Sequence, residues 1–462
     1  MRRILLRSKK DPFEVVTPGE VIQKNLFGSN AGNLIFSEAA HKLLTTADTE
    51  VVANRFRADP KDAGRINEEY DVFVVPLANA FRLSFEPQLI SLTRLIERLK
   101  IPVVVLGVGA QSGLDYDPKR LRSIDGSVTR FVSAVLDRSP SIGVRGEFTQ
   151  MYLNSLGFKD VEVIGCPSMF MNGGDLRVEK AGPSLDSGSR LALSASRSAL
   201  RTGDVGSVVM ANYERYPNMT YIAQETTDLE LLYWGDASET TDRNAPMPVH
   251  RTHPLFREDR VRVYLDPTTW IDDLRGYDFA FGTRIHGTIA ALLAGTPGVV
   301  LCHDSRTLEL CRYFDIPHER MSDMPLDVDA AKLYEEADYS ALHSGHKERF
   351  DRFTSYLAAH GLDHVFAEGG DRGAAFEARR RETDFPPGIG SWTAGEGNDI
   401  GSRIGWLKEN QAKSERRIAE LTEKVAKLEK RAGRAAKGPE HVESAGPYRA
   451  ARRVLDRVLK VR

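Results

Sequence analysis

Cysteine is scarce in this chain: its 462 residues include only Cys166, Cys302 and Cys311. An odd, sparse set without metal-ligand spacing excludes a disulfide framework and a cysteine-rich metal site. Cys166 and Cys302 lie in or beside apolar runs and are expected to be buried as small hydrophobes, which fits a reducing cytoplasm. Long apolar runs are also missing. No stretch reaches the roughly 18 residues that a membrane-crossing helix needs. The basic start has only Ile4 to Leu6 as an apolar run, too short for a signal peptide. Charge of one sign is lacking as well: 63 Lys and Arg stand against 65 Asp and Glu, a net of −2, so the whole chain is no nucleic-acid binder by charge. Neither a GxGxxG nor a Walker sequence occurs.

What is present is an alternation of short apolar runs and amphipathic segments, in a chain long enough for two or three domains. The stretch Asp278 to Phe314, DFAFGTRIHGTIAALLAGTPGVVLCHDSRTLELCRYF, reads as strand, helix, strand, helix, the pattern of a parallel α/β sheet. Gly295 closes the first helix and Pro297 follows it. Arg284 and His286 stand in the first strand-to-helix turn, where ligands of open α/β sheets bind and helix N-termini present free N–H groups. Two residues apart in extended chain, they point the same way and suit anion binding with proton transfer. The alternative is an Arg in an ion pair and a His as a helix cap. His303, Asp304 and Arg306 follow the next strand and converge on the same sheet edge.

The N-terminal half alternates likewise. Strands are predicted over Arg3–Arg7, Thr49–Ala53, Asp71–Pro76, Pro102–Gly107, Ser141–Val144 and Val161–Gly165, with helices over Leu34–Leu44, Pro87–Leu99 and Glu147–Leu156. Asn30 and Asn33 lie in a small-residue loop leading into a helix, either an approach for an anion or sugar or a tight turn. Asn79 follows one strand end. Arg145 follows another, as an anion ligand or a surface arginine. Asn172 to Ser189, rich in Gly, Asp and Ser, marks a linker, and Arg197 stands after the strand that reopens the pattern.

Gly282 to Pro297 resembles the signature of the polysaccharide pyruvyl transferase family: a strand, Arg-x-His-Gly, a small-residue helix, Gly-x-Pro and an apolar strand. IPVVVLGVGAQ at Ile101 to Gln111 and SIGVRGEFTQMYLNSLGFKDVEVIGCPSMF at Ser141 to Phe170 are similar to it too, and the resemblance spans roughly Asn25 to Pro317. Cys166-Pro167 stands where the family often has Asp-Pro, and Arg306 where it often has Lys. The resemblance implies an α/β fold of two Rossmann-like domains facing a cleft, glycosyltransferase-B-like, with phosphoenolpyruvate as donor and a saccharide, free or lipid-linked, as acceptor. It supports Arg145 as a donor ligand and places the Asn-Gly loop at the cleft.

Beyond Lys347–His360, a further helix, the composition shifts. Glu368 to Asn398 reads as a flexible linker. Ile404, Leu407, Gln411, Ser414, Ile418, Leu421, Val425, Leu428, Ala432 and Ala435 then follow heptad spacing, as an oligomerising coiled coil or a helix packed on the body. From Arg403 onward, 17 Lys and Arg face 8 Asp and Glu, which leaves the remainder of the chain near −11. Tyr448 to Arg462 reads as a basic amphipathic helix for an anionic membrane, a partner or solvent. The expected domains are therefore 1–171 and 191–366, both α/β, with linkers 172–190 and 367–402 and a helical tail 403–462. The expected function is ketal-forming pyruvyl transfer onto a saccharide in the cytoplasm or at the membrane's inner face. His286 and Arg284 would be catalytic. Arg145, Asn30, Asn33, Asn79, Arg197, His303, Asp304 and Arg306 would bind substrate, with no metal or cofactor. A nucleotide-sugar glycosyltransferase and a non-catalytic pathway scaffold are the alternatives.

Overall fold

Continuous apolar runs of four or five residues are buried on both faces, and they assemble into two parallel sheets. The computed structural model describes residues 1–28, 30–235, 244–325, 327–391 and 397–435. It divides into the units Met1–Glu396 and Gly397–Arg462. In the first unit, β1 (Arg2–Leu6), β2 (Thr49–Ala53), β3 (Val72–Pro76) and β4 (Val103–Leu106) form a sheet in the order β2-β1-β3-β4. Ile4 lies opposite both Val51 and Val72, and Val74 opposite Val104. Two short strands, β5 (Ile142–Val144) and β6 (Val161–Val163), continue it, because Val108 pairs in parallel with Val144.

The second sheet has the order β12-β11-β10-β7-β8-β9, all pairs parallel. Its strands are β7 (Leu191–Ser194), β8 (Met219–Ile222), β9 (Val261–Arg262), β10 (Phe279–Gly282), β11 (Gly298–Cys302) and β12 (His318–Arg320). Gly282 ends β10 at φ 140°, and a Cβ there would lie 2.0 Å from the Ser194 carbonyl oxygen. Only glycine lets the chain pass that close and turn directly into the helix Ile285–Ala294. The two-lobed α/β arrangement expected from the sequence is therefore present, with the carboxyl ends of the strands of both lobes lining one cleft.

One apolar core runs through both lobes. The helix Gly32–Leu44 packs its Ile35, Phe36 and Ala39 into it together with Ile289 and Leu293 of Ile285–Ala294. A second cluster covers the outer face of the N-terminal sheet. The helix Ser340–Ala359 returns to the N-terminal lobe: Phe353 packs against Phe170 with the rings tilted by 37°, and the Tyr356 hydroxyl donates to Val105 O at 2.9 Å.

The expectation of a flexible linker from Glu368 is corrected over 368–391. A helix forms at Ala374–Glu382, with the Asp371 carboxylate accepting from Gly373 N and Ala375 N. Phe376 is buried beside Phe13, Lys42 Nζ meets Glu377 Oε1 at 2.6 Å, and Ile389 pairs with Val263. A single apolar anchor on a short helix leaves no periodicity to read, yet tertiary contacts order it. Among the described residues of the second unit, the helix Gly397–Ala435 leaves Ile404, Leu407, Ile418, Leu421 and Leu428 exposed. The basic segment 448–462 lies outside the described residues. No helix among the described residues is long and apolar enough to cross a membrane.

Candidate active site

Strand-end loops of both sheets contribute to a cavity of about 780 Å³. Arg7 follows β1, Asn79 and Arg82 follow β3, Gln111 follows β4 and Arg145 follows β5. Ser196 and Ser198 follow β7, Gln224 and Glu225 follow β8, Arg284 and His286 follow β10, and His303 and Arg306 follow β11. Asn30 and Asn33, at the start of Gly32–Leu44, complete the lining from the N-terminal lobe.

Arg145 is 2 % exposed, and neither its Nε nor its Nη2 has a partner. Burial pulls its pKa down, while Cys166 and the Glu309 carboxyl work against that. Across the cleft, His286 occupies the first turn of Ile285–Ala294, a helix whose N-terminus has no side-chain cap. Its Nε2 lies 3.9 Å from Cys166 Sγ, and its ring lies 5.8 Å from that of Phe36. Burial, then the charges of Arg145 and Arg306, push His286 down to about 3, so the imidazole is neutral. Gly32 makes room for it: a Cβ at Gly32 would stand 2.7 Å from His286 Cβ.

Arg284 caps the same helix by position and pairs with Glu225 while its Nε reaches Ala195 O at 3.4 Å. Asp304 caps the next helix, Ser305–Phe314, by accepting from Thr307 N at 3.2 Å. It also takes Arg306 Nη2 at 2.6 Å. Burial opposes ionisation of Asp304, but Arg306 and His303 outweigh it and hold its carboxyl at about 2. His303 is pushed down to about 4, chiefly by burial, against the pull of Asp304. With its amide turned so that the oxygen takes the place of the nitrogen, Asn79 accepts from two guanidiniums, Arg82 Nη1 at 2.6 Å and Arg306 Nη1 at 3.2 Å. Of the lining arginines, Arg284 and Arg306 are ion-paired. Arg7, Arg82 and Arg145 form no ion pair among the described residues. Such an arrangement is suited to a small multiply charged anion beside a neutral imidazole.

The structure brings Arg145, Arg284, His286, His303, Arg306, Asn30, Asn33 and Asn79 to one cavity. Two expected ligands are placed elsewhere. Arg197 turns to Asp228, Nη2 to Oδ1 3.3 Å, and does not line the cavity. Asp304 sits behind Arg306 and orients it rather than facing the space. Sequence reasoning missed Arg7, Gln224 and Glu225, although each stands at the carboxyl end of a parallel strand, which is the signal that finds them, and it placed Arg82 after a strand without choosing it as a ligand. Glu309 was missed without any such signal, lying mid-helix among apolar residues. No group of three or more His, Cys, Asp or Glu among the described residues is placed to hold a metal.

Residues 30–305 match the protein family described as polysaccharide pyruvyl transferase. No curated protein matches the chain. Among solved structures, it is similar to the UDP-GlcNAc 2-epimerase of Methanocaldococcus jannaschii in complex with UDP-GlcNAc and UDP. That likeness is 10% identity over 77% of this chain and 99% of that one, with a TM-score of 0.43. It is also similar to Anabaena HepE in complex with UDP and glucose, at 11% identity over 78% and 97% of the two chains and a TM-score of 0.38. Likenesses at this level carry no inference about substrate.

Proposed function

This chain belongs to the polysaccharide pyruvyl transferase family, and from that premise we propose that it moves pyruvate from phosphoenolpyruvate onto two saccharide hydroxyls as a ketal. The observation that supports this reading best is Arg145, a guanidinium buried at 2 % exposure with two of its nitrogens unpartnered at a cavity wall. A planar fork left open in this way suits paired anionic oxygens. Phosphoenolpyruvate supplies a carboxylate and a phosphate dianion. Arg7, Arg82 and Arg145, the lining arginines without an ion pair among the described residues, supply matching charge.

The proposed chemistry assigns roles to these positions. His286, protonated once the donor is bound, delivers a proton to the donor's methylene carbon. One acceptor hydroxyl attacks the neighbouring carbon, a second displaces phosphate, and the ketal closes. Of the two hydroxyl protons lost, one replaces that given by His286 and the other leaves with inorganic phosphate. The low pKa of His286 is compatible with this role. A donor seated against Arg145 and Arg306 cancels the two positive charges that help hold the imidazole down, and its pKa rises toward the working range. The protein would act in the cytoplasm on a free or lipid-linked saccharide. The basic C-terminal segment would lie peripherally on the membrane, and the heptad helix would join copies of the chain.

The test is incubation with phosphoenolpyruvate and a panel of free and lipid-linked saccharides, following phosphate release and product mass. Phosphate release with a pyruvyl ketal on the acceptor is expected. Protection against thermal unfolding by a nucleotide sugar but not by phosphoenolpyruvate would move the site to glycosyl transfer. No release with any acceptor would leave a scaffold.

A further inference from the structure

The two walls of the cavity differ in kind. On the N-terminal lobe it is cationic, with Arg7, Arg82 and Arg145. On the opposite lobe, the end of β8 and the first turn of the helix Thr226–Trp234 present Gln224, Thr226 and Thr227. Gln224 is 2 % exposed, and neither Nε2 nor Oε1 of its amide has a partner. The Thr226 and Thr227 hydroxyls are buried and unpartnered too. Buried amides and hydroxyls in folded proteins are nearly always hydrogen-bonded. A whole amide and two hydroxyls unsatisfied at one cavity wall therefore mark a place where a ligand completes them.

The chemistry of that ligand follows from the donors and acceptors. A primary amide both gives and accepts, and so does each hydroxyl. The partner that answers such groups without charge is a polyol, whose every O–H gives and accepts in turn. The place is also the right one. A Cβ on Gly287 would come 2.8 Å from Gln224 Nε2, so the amide lies against the turn that carries His286. The Gln224 carbonyl accepts from Ala31 N at 2.8 Å, which fixes this loop against the N-terminal lobe independently of the side chain. Arg284, next to that turn, is already occupied by Glu225, so this wall offers no open guanidinium to a second anion.

We propose that Gln224, with Thr226 and Thr227, forms the subsite that binds the uncharged hydroxyl face of the acceptor saccharide and presents its reacting hydroxyls to His286. The proposal rests on the pyruvyl-transfer reading for its chemistry, while the subsite itself is a statement about binding a neutral sugar. Gln224 is here a binding residue: its amide takes no proton from the reaction.

Two measurements separate the subsite from the reaction. In the first, binding of methyl hexopyranosides of gluco, galacto and manno configuration is followed by saturation-transfer NMR. Wild type, Gln224→Ala and the double variant Thr226→Val, Thr227→Val are compared after each is confirmed folded by its melting transition. Signal transfer in wild type, lost in both variants, is expected. Equal transfer in all three proteins, or none in wild type, overturns the subsite whatever the enzyme does. In the second, turnover with phosphoenolpyruvate is measured on the same proteins. Acceptor KM is expected to rise at least tenfold, with donor affinity within a factor of about two. A loss of donor affinity as large as the change in acceptor KM overturns the assignment in favour of the donor. If wild type binds sugars but releases no phosphate with any acceptor, the pyruvyl-transfer reading fails and the subsite stands.

Discussion

Glu309, on the helix after β11, lies with both carboxyl oxygens 3.0 Å from the Thr149 hydroxyl in the opposite lobe, and Oε2 also accepts from Thr149 N at 3.1 Å. The carboxyl is fully buried, in space left by two glycines. A Cβ on Gly146 would meet Glu309 Cβ at 2.8 Å, and one on Gly109 would meet Glu309 Oε1 at 3.3 Å. This contact ties the lobes together directly behind Arg145.

Burial pushes Glu309 up to about 8, against the opposing influence of Arg145, so the carboxyl is protonated at neutral pH. The folded protein then keeps a proton that the unfolded chain releases in the ordinary carboxylate range. Stability therefore falls as pH rises from that range to about 8. Urea unfolding should show wild type losing up to about 1.4 kcal/mol per pH unit across this window relative to Glu309→Gln, one proton's worth. Parallel declines in the two proteins would mean that Glu309 is already ionised.

His286→Ala should lower kcat by about 10²- to 10⁴-fold, the usual scale of general acid catalysis, while donor affinity changes little. Because the donor raises the imidazole pKa from about 3, wild type should take up protons on binding phosphoenolpyruvate. Calorimetry at pH 8 in buffers of different ionisation enthalpy reads this uptake, and the variant should lack it. The same proton count in both proteins assigns the acid elsewhere, His303 being the next candidate.

Arg145→Lys keeps the charge but loses the fork. Donor affinity should drop by about 10- to 100-fold, as for charge-assisted hydrogen bonds lost in a buried site. Titration calorimetry with phosphoenolpyruvate decides it, and unchanged affinity would make Arg145 a structural cation.

Gly32→Ala would drive a methyl to 2.7 Å from His286 Cβ and 2.9 Å from its Nδ1. The expected result is a fall in kcat comparable to that of His286→Ala, together with a lowered melting temperature, since the methyl would also stand 2.8 Å from Asn30 Oδ1, the acceptor of the Gly32 N–H. Full turnover would show that the imidazole position is not critical.

The tail should be separable from the chemistry. Because 374–391 pack on the body through Phe376 and Ile389, a chain ending at Glu396, not one ending near Glu368, should stay folded and active on soluble acceptors. It should lose oligomers in light scattering. The heptad positions place Ile404, Ile418 and Val425 with Gln411 at one seam position, and Leu407, Leu421 and Leu428 with Ser414 at the other, the pattern from which joining of copies is expected. A full-length chain that is already monomeric would remove the heptad helix from that role.

Much of the fold was legible because its strands are buried on both faces and so read as unbroken apolar runs, bounded by the turn glycines and helix caps of α/β units. Thr49–Ala53 is found where the residues place it, and helix ends differ mostly by one or two positions, as frayed ends do. Short polar-faced helices such as Ala63–Glu69 and Ala374–Glu382 were not legible, since packing rather than periodicity holds them. For the site, strand-end position brought Arg145, Arg284, His286, His303 and Arg306 forward, and the family resemblance supported Arg145 and the Arg284-x-His286 pair.

The sequence by itself determined which loops could bear chemistry, because parallel strands send all their carboxyl ends to one edge. Only the tertiary structure decided which of those residues share a cavity and in what state. Arg197 and Asp304 stand in such loops yet turn to other partners. His286 is neutral because burial and guanidiniums from two separate strand ends, Arg145 and Arg306, act on it together. Desolvation and Coulomb forces depend on distance through space, and no spacing along the chain encodes the approach of one lobe to the other.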